Sequence, residues 1–384
     1  MINVYLSVII LLLILLVIEI KNVHNLTVKN AVFYIGTLSI FSLIAFRGTE
    51  VGGDTSAYAN FFIGKHSMYG TIDNSDMEIG FIWIAKILHL INKTKIWFLF
   101  SSTFITLFPF FYMVKKYSCN KTIPLLLFMT IWSIMPTALC AVRQNLAVSL
   151  VMVAYILFIE KIKNKHVERF RRKVWMLCCI LLCILSVLTH TSMIVALPLL
   201  FLAELVNIRK KTAYIIVFAS FLIVLIIDNL FNSLFSLFNE YTAAFSYADR
   251  MNGYFENADY ALTNEVSFNR LAPTTFWVLL LIFKSKEEVI SSTFLKCLIW
   301  GNSLYCIGAS FPMISRAVYL LMLMGIVYVP FSLYSKRKQL SNVLLFLLLV
   351  FFVRTQFKYF SEYNVNENYY GVRLLPYKTI FEER

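Results

Sequence analysis

Long apolar runs separated by short loops recur along the whole chain, and they constrain its fold more than any other feature. Of the 384 residues, 59% are hydrophobic and only 15% are charged, and the charged residues gather between the runs. A helix of about 20 apolar residues crosses the hydrocarbon core of a bilayer, and a helix satisfies its backbone polar groups without water. The chain is therefore predicted to be an all-α, polytopic membrane protein. Because much of the net charge of +14 lies in short loops, it is not evidence for a nucleic-acid partner.

Twelve of the runs are predicted to cross the membrane. They lie near residues 3–19, 30–46, 96–114, 122–139, 142–159, 174–190, 192–207, 212–230, 272–283, 289–308, 313–331 and 340–353. A further run, 79–91, is short and carries Lys86 and His89 in its interior. These features favour a re-entrant or interfacial helix over a full span.

Basic residues concentrate in five of the loops. These loops lie near residues 115–121, 160–173, 209–211, 284–286 and 336–338. Because loops rich in lysine and arginine face the cytoplasm, all five are predicted on that side. They alternate correctly only if 79–91 does not cross, and both termini then lie outside. The prediction is one integral membrane domain, 1–384, with extracytoplasmic loops 47–95 and 231–271.

Arginines adjoin apolar runs on the predicted outer side. Arg47, Arg143 and Arg316 are the strongest cases, and Arg250 and Arg270 flank the long outer loop. An arginine at bilayer depth costs about 2.5–3.5 kcal/mol on insertion scales, so it is normally retained for a partner or a ligand. The planar guanidinium group suits phosphate better than an ammonium group does. Several such cations beside one membrane face indicate an anionic substrate.

Two carboxylates lie on the same predicted side. Asp54 follows Gly52 and Gly53, which permit a tight or left-handed backbone, and it is placed either to cap a helix starting near Ser56 or to act as a general base. Glu78 begins the short run, where the helix dipole favours an acidic residue. It is the second candidate for the base.

Polar residues at two other helix ends complete the set of candidates. Gln144 and Asn145 lie beside Arg143 and favour a buried polar cluster there over snorkelling of Arg143 to the lipid head groups. His190 separates two predicted spans, where it either hydrogen-bonds a helix terminus or donates to a sugar or phosphate oxygen. No histidine or cysteine spacing matches a metal site, so no metal or other cofactor is predicted.

In chain order, these motifs resemble the EpsG family, a branch of the Wzy-type polysaccharide polymerases of bacteria. The motifs are Arg47 followed by Val51-Gly-Gly-Asp54 and Tyr58, Glu78-Ile-Gly80, Arg143-Gln-Asn-Leu-Ala147, His190-Thr-Ser192, Arg316 and Pro376-Tyr-Lys378. The resemblance covers nearly the whole chain. The doubled glycine before Asp54 departs from the Gly-Thr-Asp or similar expected for the family, and it loosens the turn while leaving the carboxylate in place.

The resemblance implies a GT-C-like glycosyltransferase of the bacterial cytoplasmic membrane, with its active site on the outer side. Its substrates would be glycans linked to undecaprenyl diphosphate, without a nucleotide sugar. A growing glycan would move as a block onto a new repeat, and undecaprenyl diphosphate would leave. A flippase and a chain-length regulator would be its partners beside the lipid bilayer.

Within that reaction, the candidate residues take distinct roles. Arg143 and Arg316 would bind the departing diphosphate, whose negative charge grows as the glycosidic bond breaks. Asp54 or Glu78 would accept the proton of the attacking hydroxyl. Further substrate contacts would come from Arg47, Gln144, His190, Arg250 and Arg270.

Two other classes of protein remain open at this point. A flippase for lipid-linked oligosaccharides would need charge along a cavity open to both sides, whereas the predicted span centres hold few ionisable residues. An O-antigen ligase would share the arginine-rich outer face, and a membrane acyltransferase would pair a histidine with a nearby acid. The glycan itself, whether O-antigen, capsule or exopolysaccharide, is not determined by the sequence.

Overall fold

The structure, a computed structural model, describes residues 4–64, 77–131, 134–163, 168–223, 268–285, 288–307, 312–330, 343, 346–355 and 377–382. Within helices, the side chains of 268–270 and 312–317 are not described.

The described part of the chain is almost entirely helical. The helices are α1 Val4–Lys21, α2 Leu26–Ala45, α3 Thr55–Phe62, α4 Ile79–Ile91, α5 Lys95–Tyr117, α6 Thr122–Thr130, α7 Met135–Cys140, α8 Val142–Leu157, α9 Arg169–Thr189, α10 Met193–Leu205, α11 210–223, α12 Phe268–Lys284, α13 Thr293–Ile307, α14 Pro312–Gly325 and α15 Phe346–Thr355. A π-helical turn, Phe158–Ile162, continues α8, and a 3₁₀ turn, Ile326–Tyr328, continues α14. The two-residue strands β1 Ile208–Arg209 and β2 Val289–Ile290 pair antiparallel, with Ile208 opposite Ile290.

Five of the described helices are long and apolar enough to cross a membrane: α1, α2, α5, α8 with its π-helical turn, and α9. Shorter apolar helices accompany them, including α4, α10 and α15. The all-α membrane class is therefore confirmed, while the number of twelve spans and the GT-C-like architecture stay predictions.

The predicted span 122–139 is not one continuous helix. It is divided into α6 and α7, and Ile131 between them has an extended backbone with ψ of 120°. Pro136 in the first turn of α7 explains the break. Proline lacks the N–H that a continuing helix would need, and its ring clashes with the carbonyl group four residues earlier.

Sequential helices run in alternating directions, as contacts between α8 and α9 illustrate. The Cys179 thiol lies 3.3 Å from the Ala154 carbonyl oxygen, and the Lys161 amine lies 5.9 Å from the Trp175 ring. Later residues of α8 thus meet earlier residues of α9, so the two helices are antiparallel.

This alternation divides the described helix ends into two groups. One group, called here the lysine end, contains residues 21–26, 117–122, 158–163 and 168–169, with β1 and β2. The other group, called here the site end, contains residues 46–55, 78–80, 92–95, 135–144, 189–193 and 377–382. Trp97 donates to the Leu88 carbonyl at 3.0 Å and the His89 ring packs on Phe62. Both ends of α4 therefore contact the site end, in agreement with a helix that does not cross.

Carboxylates at the lysine end are held by hydrogen bonds. Glu160 accepts from Tyr112 at 2.7 Å and Tyr117 at 3.1 Å and pairs with Lys116. Glu19 accepts from the Thr122 hydroxyl at 2.6 Å. These contacts fasten helix ends to each other within the protein.

A small apolar core lies beneath the site end, separate from the large core of the bundle. It is called here the site core. Its buried members are Tyr58, Ala59, Phe62, Met77, Phe81, Ala85, Leu88, Phe98, Leu99, Val142, Leu146 and Ile380. Because it joins α3, α4, α5 and α8 to the C-terminal segment, it sets the relative positions of the polar residues above it.

Candidate active site at one end of the bundle

A tight turn after α2 carries the first candidate residues. Gly52 has a φ of +91°, and a Cβ added there would lie 2.6 Å from the Leu139 carbonyl oxygen. The Thr55 hydroxyl donates to the same oxygen at 3.2 Å. The predicted left-handed backbone is thus confirmed at Gly52, which lets the turn pack closely against α7.

Asp54 lies between this turn and α3, with its side chain exposed. The helix begins at Thr55, and Asp54 has a φ of −93° and a ψ of −6° with no capping hydrogen bond from its side chain. The interpretation of Asp54 as a helix cap is therefore wrong. A capping residue normally has an extended backbone that turns its side chain toward the helix N–H groups, and Asp54 has a helical one.

Arg143 begins α8 and joins two residues from other elements. Its Nε donates to the Tyr58 hydroxyl at 2.9 Å, and its Nη1 forms an ion pair with the Glu78 carboxylate. The side chains of Arg143 and Glu78 are 22% and 19% exposed. The three residues are called here the Arg143 cluster. A guanidinium group held by two fixed partners and still partly open to solvent is suited to bind an anion.

Tyr58 was not among the predicted site residues, although it ends the motif that contains Asp54. Residues four apart lie on the same face of a helix, so its spacing from Asp54 was a usable signal. Burial raises the pKa of the Tyr58 hydroxyl to about 12, against the opposing effect of Arg143. Tyr58 therefore remains a neutral hydroxyl that accepts from Arg143 across the physiological pH range.

Glu78 precedes α4 and makes no capping hydrogen bond to it. The helix that follows lies directly against α9, because a Cβ added at Gly80 would be 2.6 Å from the Leu188 carbonyl carbon and 2.7 Å from the Thr189 nitrogen. This close approach brings the start of α4 to the end of α9.

His190 follows α9 directly and is 6% exposed. Its Nδ1 accepts from the Ser192 N–H at 3.1 Å, which is the arrangement expected of a histidine at a helix terminus. Counting from the contact between Ala154 and Cys179, Arg143 and His190 are each 11 residues away (154 − 143 and 190 − 179). The antiparallel pair therefore places them at the same level of the bundle.

Gln144 and Asn145 follow Arg143 and are buried, at 2% and 5% exposure. The Asn145 amide donates to the carbonyls of Thr137 at 3.0 Å and Ala138 at 3.1 Å. Asn145 thus ties the start of α8 to α7, a role that the sequence did not indicate.

Arg47 is buried in the protein, with 1% exposure. Its Nη1 donates to the Ile44 carbonyl at 2.5 Å, so it binds the carbonyl end of α2, where a cation is favoured by the helix dipole. Burial lowers the pKa of the guanidinium to about 10, which still leaves it charged at neutral pH. In this arrangement Arg47 is not accessible to a substrate.

The side chains of three predicted arginines lie outside the described part of the structure. Arg250 lies outside the described residues. Arg270 lies in α12 and Arg316 in the second turn of α14, without described side chains. A Cβ at Gly301 of α13 would meet Met322 of α14, and one at Gly325 would meet Leu298. This antiparallel packing directs the start of α14, with Arg316, toward the site end.

Metal ligands do not cluster in the part of the chain that the structure describes. No group of three or more histidine, cysteine, aspartate or glutamate residues is close enough there to hold a metal ion.

The fold and the site define an integral membrane protein with a charged, partly buried cluster at one end of an apolar helix bundle. A family model, described as the EpsG family, matches residues 30–379. The chain belongs to the EpsG family, whose members are Wzy-type polysaccharide polymerases. No curated protein and no solved structure shows significant similarity to it.

Proposed function

We propose that this protein joins oligosaccharide repeats carried on undecaprenyl diphosphate into a long glycan, at the outer face of the bacterial cytoplasmic membrane. Membership of a family of polysaccharide polymerases supports this reaction class. The observation that carries the proposal is the Arg143 cluster, which lies at one end of the bundle beside the exposed carboxylate of Asp54.

The reaction needs a base that accepts the proton of the acceptor hydroxyl, and hydrogen-bond donors or positive charge beside the leaving diphosphate. The acceptor hydroxyl gives its proton to a carboxylate while its oxygen bonds to the anomeric carbon of the donor. The bond from that carbon to the phosphate oxygen breaks, and its electron pair leaves with undecaprenyl diphosphate. Fixed donors beside that oxygen stabilise the charge as it develops.

The contacts of the two carboxylates favour Asp54 as the base. Glu78 forms an ion pair with Arg143 and so serves to orient the guanidinium, whereas Asp54 is exposed and therefore accessible to an acceptor hydroxyl. Arg143 then binds the leaving diphosphate, with Tyr58 holding its Nε.

The remaining predicted residues take supporting roles. Arg316, near the start of α14, is the second proposed ligand of the diphosphate. Gln144 in α8 and His190 after α9 lie at the same level of the bundle as Arg143. Arg250 and Arg270 are further proposed contacts for the sugar or phosphate groups. Arg47 acts indirectly, by capping α2 below the turn that carries Asp54.

The orientation and the partners follow from the same reaction. Lysine-rich loops face the cytoplasm, so the site end is proposed to face the periplasm or exterior. A flippase would supply the lipid-linked repeats, and a chain-length regulator would act on the product. No metal, nucleotide or nucleic acid takes part in the proposed step.

Replacement of Arg143 in a deletion strain tests the proposal. Arg143→Ala should reduce long-chain glycan about a hundredfold or more, the usual effect of removing a fixed donor to a developing oxyanion, and single repeats should appear at the surface. Arg143→Lys keeps the charge but not the fork of donors, so it should retain part of the polymer. Arg171→Ala removes an exposed arginine that pairs with nearby Glu168 and should polymerise normally.

The glycan pattern of the deletion strain separates the classes of protein. A strain without any surface glycan would indicate a flippase, and polymer that accumulates on its lipid carrier would indicate a ligase. A normal ladder in Arg143→Ala, at equal protein level in the membrane, would exclude the proposed role of Arg143.

A further inference from the structure

The C-terminal segment 377–382, called here the strap, pairs with the chain that follows α2. The Gly48 N–H donates to the Lys378 carbonyl at 2.7 Å, and the Ile380 N–H donates to the Phe46 carbonyl at 3.0 Å. These bonds form an antiparallel bridge between Arg47 and Thr379. A segment more than 300 residues later in the chain thus binds the backbone of the turn that leads to Asp54.

Side chains of the strap extend this contact into the protein. The Tyr377 hydroxyl donates to the Leu43 carbonyl at 2.9 Å, and its ring packs edge-on against Tyr5 with centroids 5.4 Å apart. Because the last carbonyls of a helix lack partners within the helix, Tyr377 and Arg47 together satisfy two of those of α2.

Ile380 connects the strap to the Arg143 cluster. It is 5% exposed and belongs to the site core, together with Tyr58 and Val142. Tyr58 accepts the hydrogen bond from Arg143, and Val142 is the residue before it in α8. The strap therefore packs against the apolar residues that support the cluster.

The turn that carries Asp54 is consequently held from two sides. The strap binds it at Phe46 and Gly48, and α7 binds it through Thr55 and the Leu139 carbonyl. The exposed ion pair between Lys378 and Glu50, at 3.0 Å, contributes little, since exposed pairs are weak. The backbone bonds and Ile380 provide the attachment.

We propose that the strap is a positioning element of the active site, which holds Asp54 and the Arg143 cluster in register for the transfer step. This role rests on the proposed polymerase function. The strap does not touch the reacting atoms. Its contribution is to keep the base and the anion-binding guanidinium in place, because small misplacements of such groups have large effects on rate.

Substitution of Ile380 tests the role in the purified full-length protein, with a synthetic lipid-linked repeat as substrate. Ile380→Asp should lower kcat about tenfold or more while KM changes less than about twofold, because positioning acts on the transfer step. Ile380→Ala should lower kcat by a smaller factor than Ile380→Asp does. Ile380→Val, which keeps an apolar side chain, should have a kcat close to that of the wild type. Glu382→Gln, at an exposed residue of the same strap that is bonded locally to Thr379, should behave as the wild type.

Two kinetic results would overturn the proposal. One is an Ile380→Asp enzyme with at least about half of the wild-type kcat. The other is a raised KM with unchanged kcat, which would make the strap part of substrate binding.

Maleimide labelling tests the attachment without relying on polymerisation. Thr49 lies in the turn under the strap and is 5% exposed. In a Cys119→Ser background, which removes the exposed thiol of the native chain, a Thr49→Cys protein should be labelled slowly. The Ile380→Asp change in that background should accelerate labelling about tenfold or more, as expected when a local opening becomes frequent. Unchanged labelling would exclude the strap as a restraint on the turn. If the wild type makes no polymer, the proposed function fails and the positioning role fails with it, while labelling still decides whether the strap holds the turn.

Discussion

Arg143 shows at the scale of single residues how a cation is retained at the edge of an apolar bundle. Its guanidinium binds a neutral hydroxyl and a carboxylate, from residues 85 and 65 positions earlier in the chain. Removing one partner of a buried charge leaves the other uncompensated and is costly. The cluster should therefore be sensitive to loss of either partner.

Tyr58→Phe removes only the hydroxyl that accepts from Arg143. We expect polymer per enzyme molecule to fall about tenfold, since the lost bond is to a charged group and such bonds contribute about 1.5–3 kcal/mol. Polymer length on gels, normalised to protein in the membrane, measures the effect. Tyr34→Phe is the matched control, because its hydroxyl accepts from Lys115 at the lysine end. Equal losses in both variants would contradict a specific role of Tyr58.

Gly52 is the residue whose backbone sets the turn before Asp54. Gly52→Ala would place a methyl group 2.6 Å from the Leu139 carbonyl oxygen at a φ of +91°, so we expect a lower melting temperature and little polymer. At Gly64 the φ is +74°, and no atom of the described residues lies within 4 Å of an added methyl group. The cost of Gly64→Ala should therefore be the backbone strain of about 1–2 kcal/mol. A similar melting temperature for the two variants would show that α7 does not restrain the turn.

At the scale of elements, α4 is placed by its contact with α9 rather than by its own sequence. Its apolar residues form a helix too short to cross, and Gly80 permits the close approach that brings Glu78 to the site end. The close approach of α4 to α9 depends on the absence of a side chain at Gly80. The periodicity of apolar residues along a helix does not reveal such a contact.

Gly80→Ala should separate α4 from α9. The added methyl group would meet the backbone of Leu188 and Thr189 within 2.8 Å, and backbone cannot move as a side-chain tip can. We expect a loss of polymer comparable with that of Glu78→Ala, measured as glycan ladders. In Gly36→Ala the nearest atoms to the methyl group are the side-chain tips of Leu125, Leu12 and Leu15, at 3.0, 3.2 and 3.7 Å, so activity should persist. Full activity in Gly80→Ala would contradict the placement of α4.

The division of predicted span 122–139 is a second difference at this scale. The hydrophobicity of these residues predicted a single span. In the structure, α6 ends at Thr130 and α7 begins at Met135. Pro136 was visible in the sequence, but proline also occurs inside α5 and α10. The consequence of a proline depends on whether neighbouring groups satisfy the backbone that it frees.

For the whole molecule, two groups of helix ends give a direct test of orientation. His24 is exposed at the lysine end and Asn92 is exposed between α4 and α5 at the site end. A membrane-impermeant maleimide should label Asn92→Cys in intact cells, and should label His24→Cys only after the membrane is opened, because the basic loops face the cytoplasm. Labelling of the parent chain provides the background. The reverse pattern would place the site in the cytoplasm and exclude polymerisation at the outer face.

The sequence by itself determined the membrane class, and it predicted the alternation of basic loops. It also singled out Asp54, Glu78, Arg143, Gln144 and His190, which the structure places at one end. Run length and loop charge are local properties, and each crossing of a membrane sends the next loop to the opposite side. Only the tertiary structure decided that Arg143 binds Glu78 and Tyr58, that Arg47 is buried, and that residues 377–382 return to the turn before Asp54. Those contacts join positions far apart in the chain, and side-chain packing rather than hydrophobic periodicity selects them.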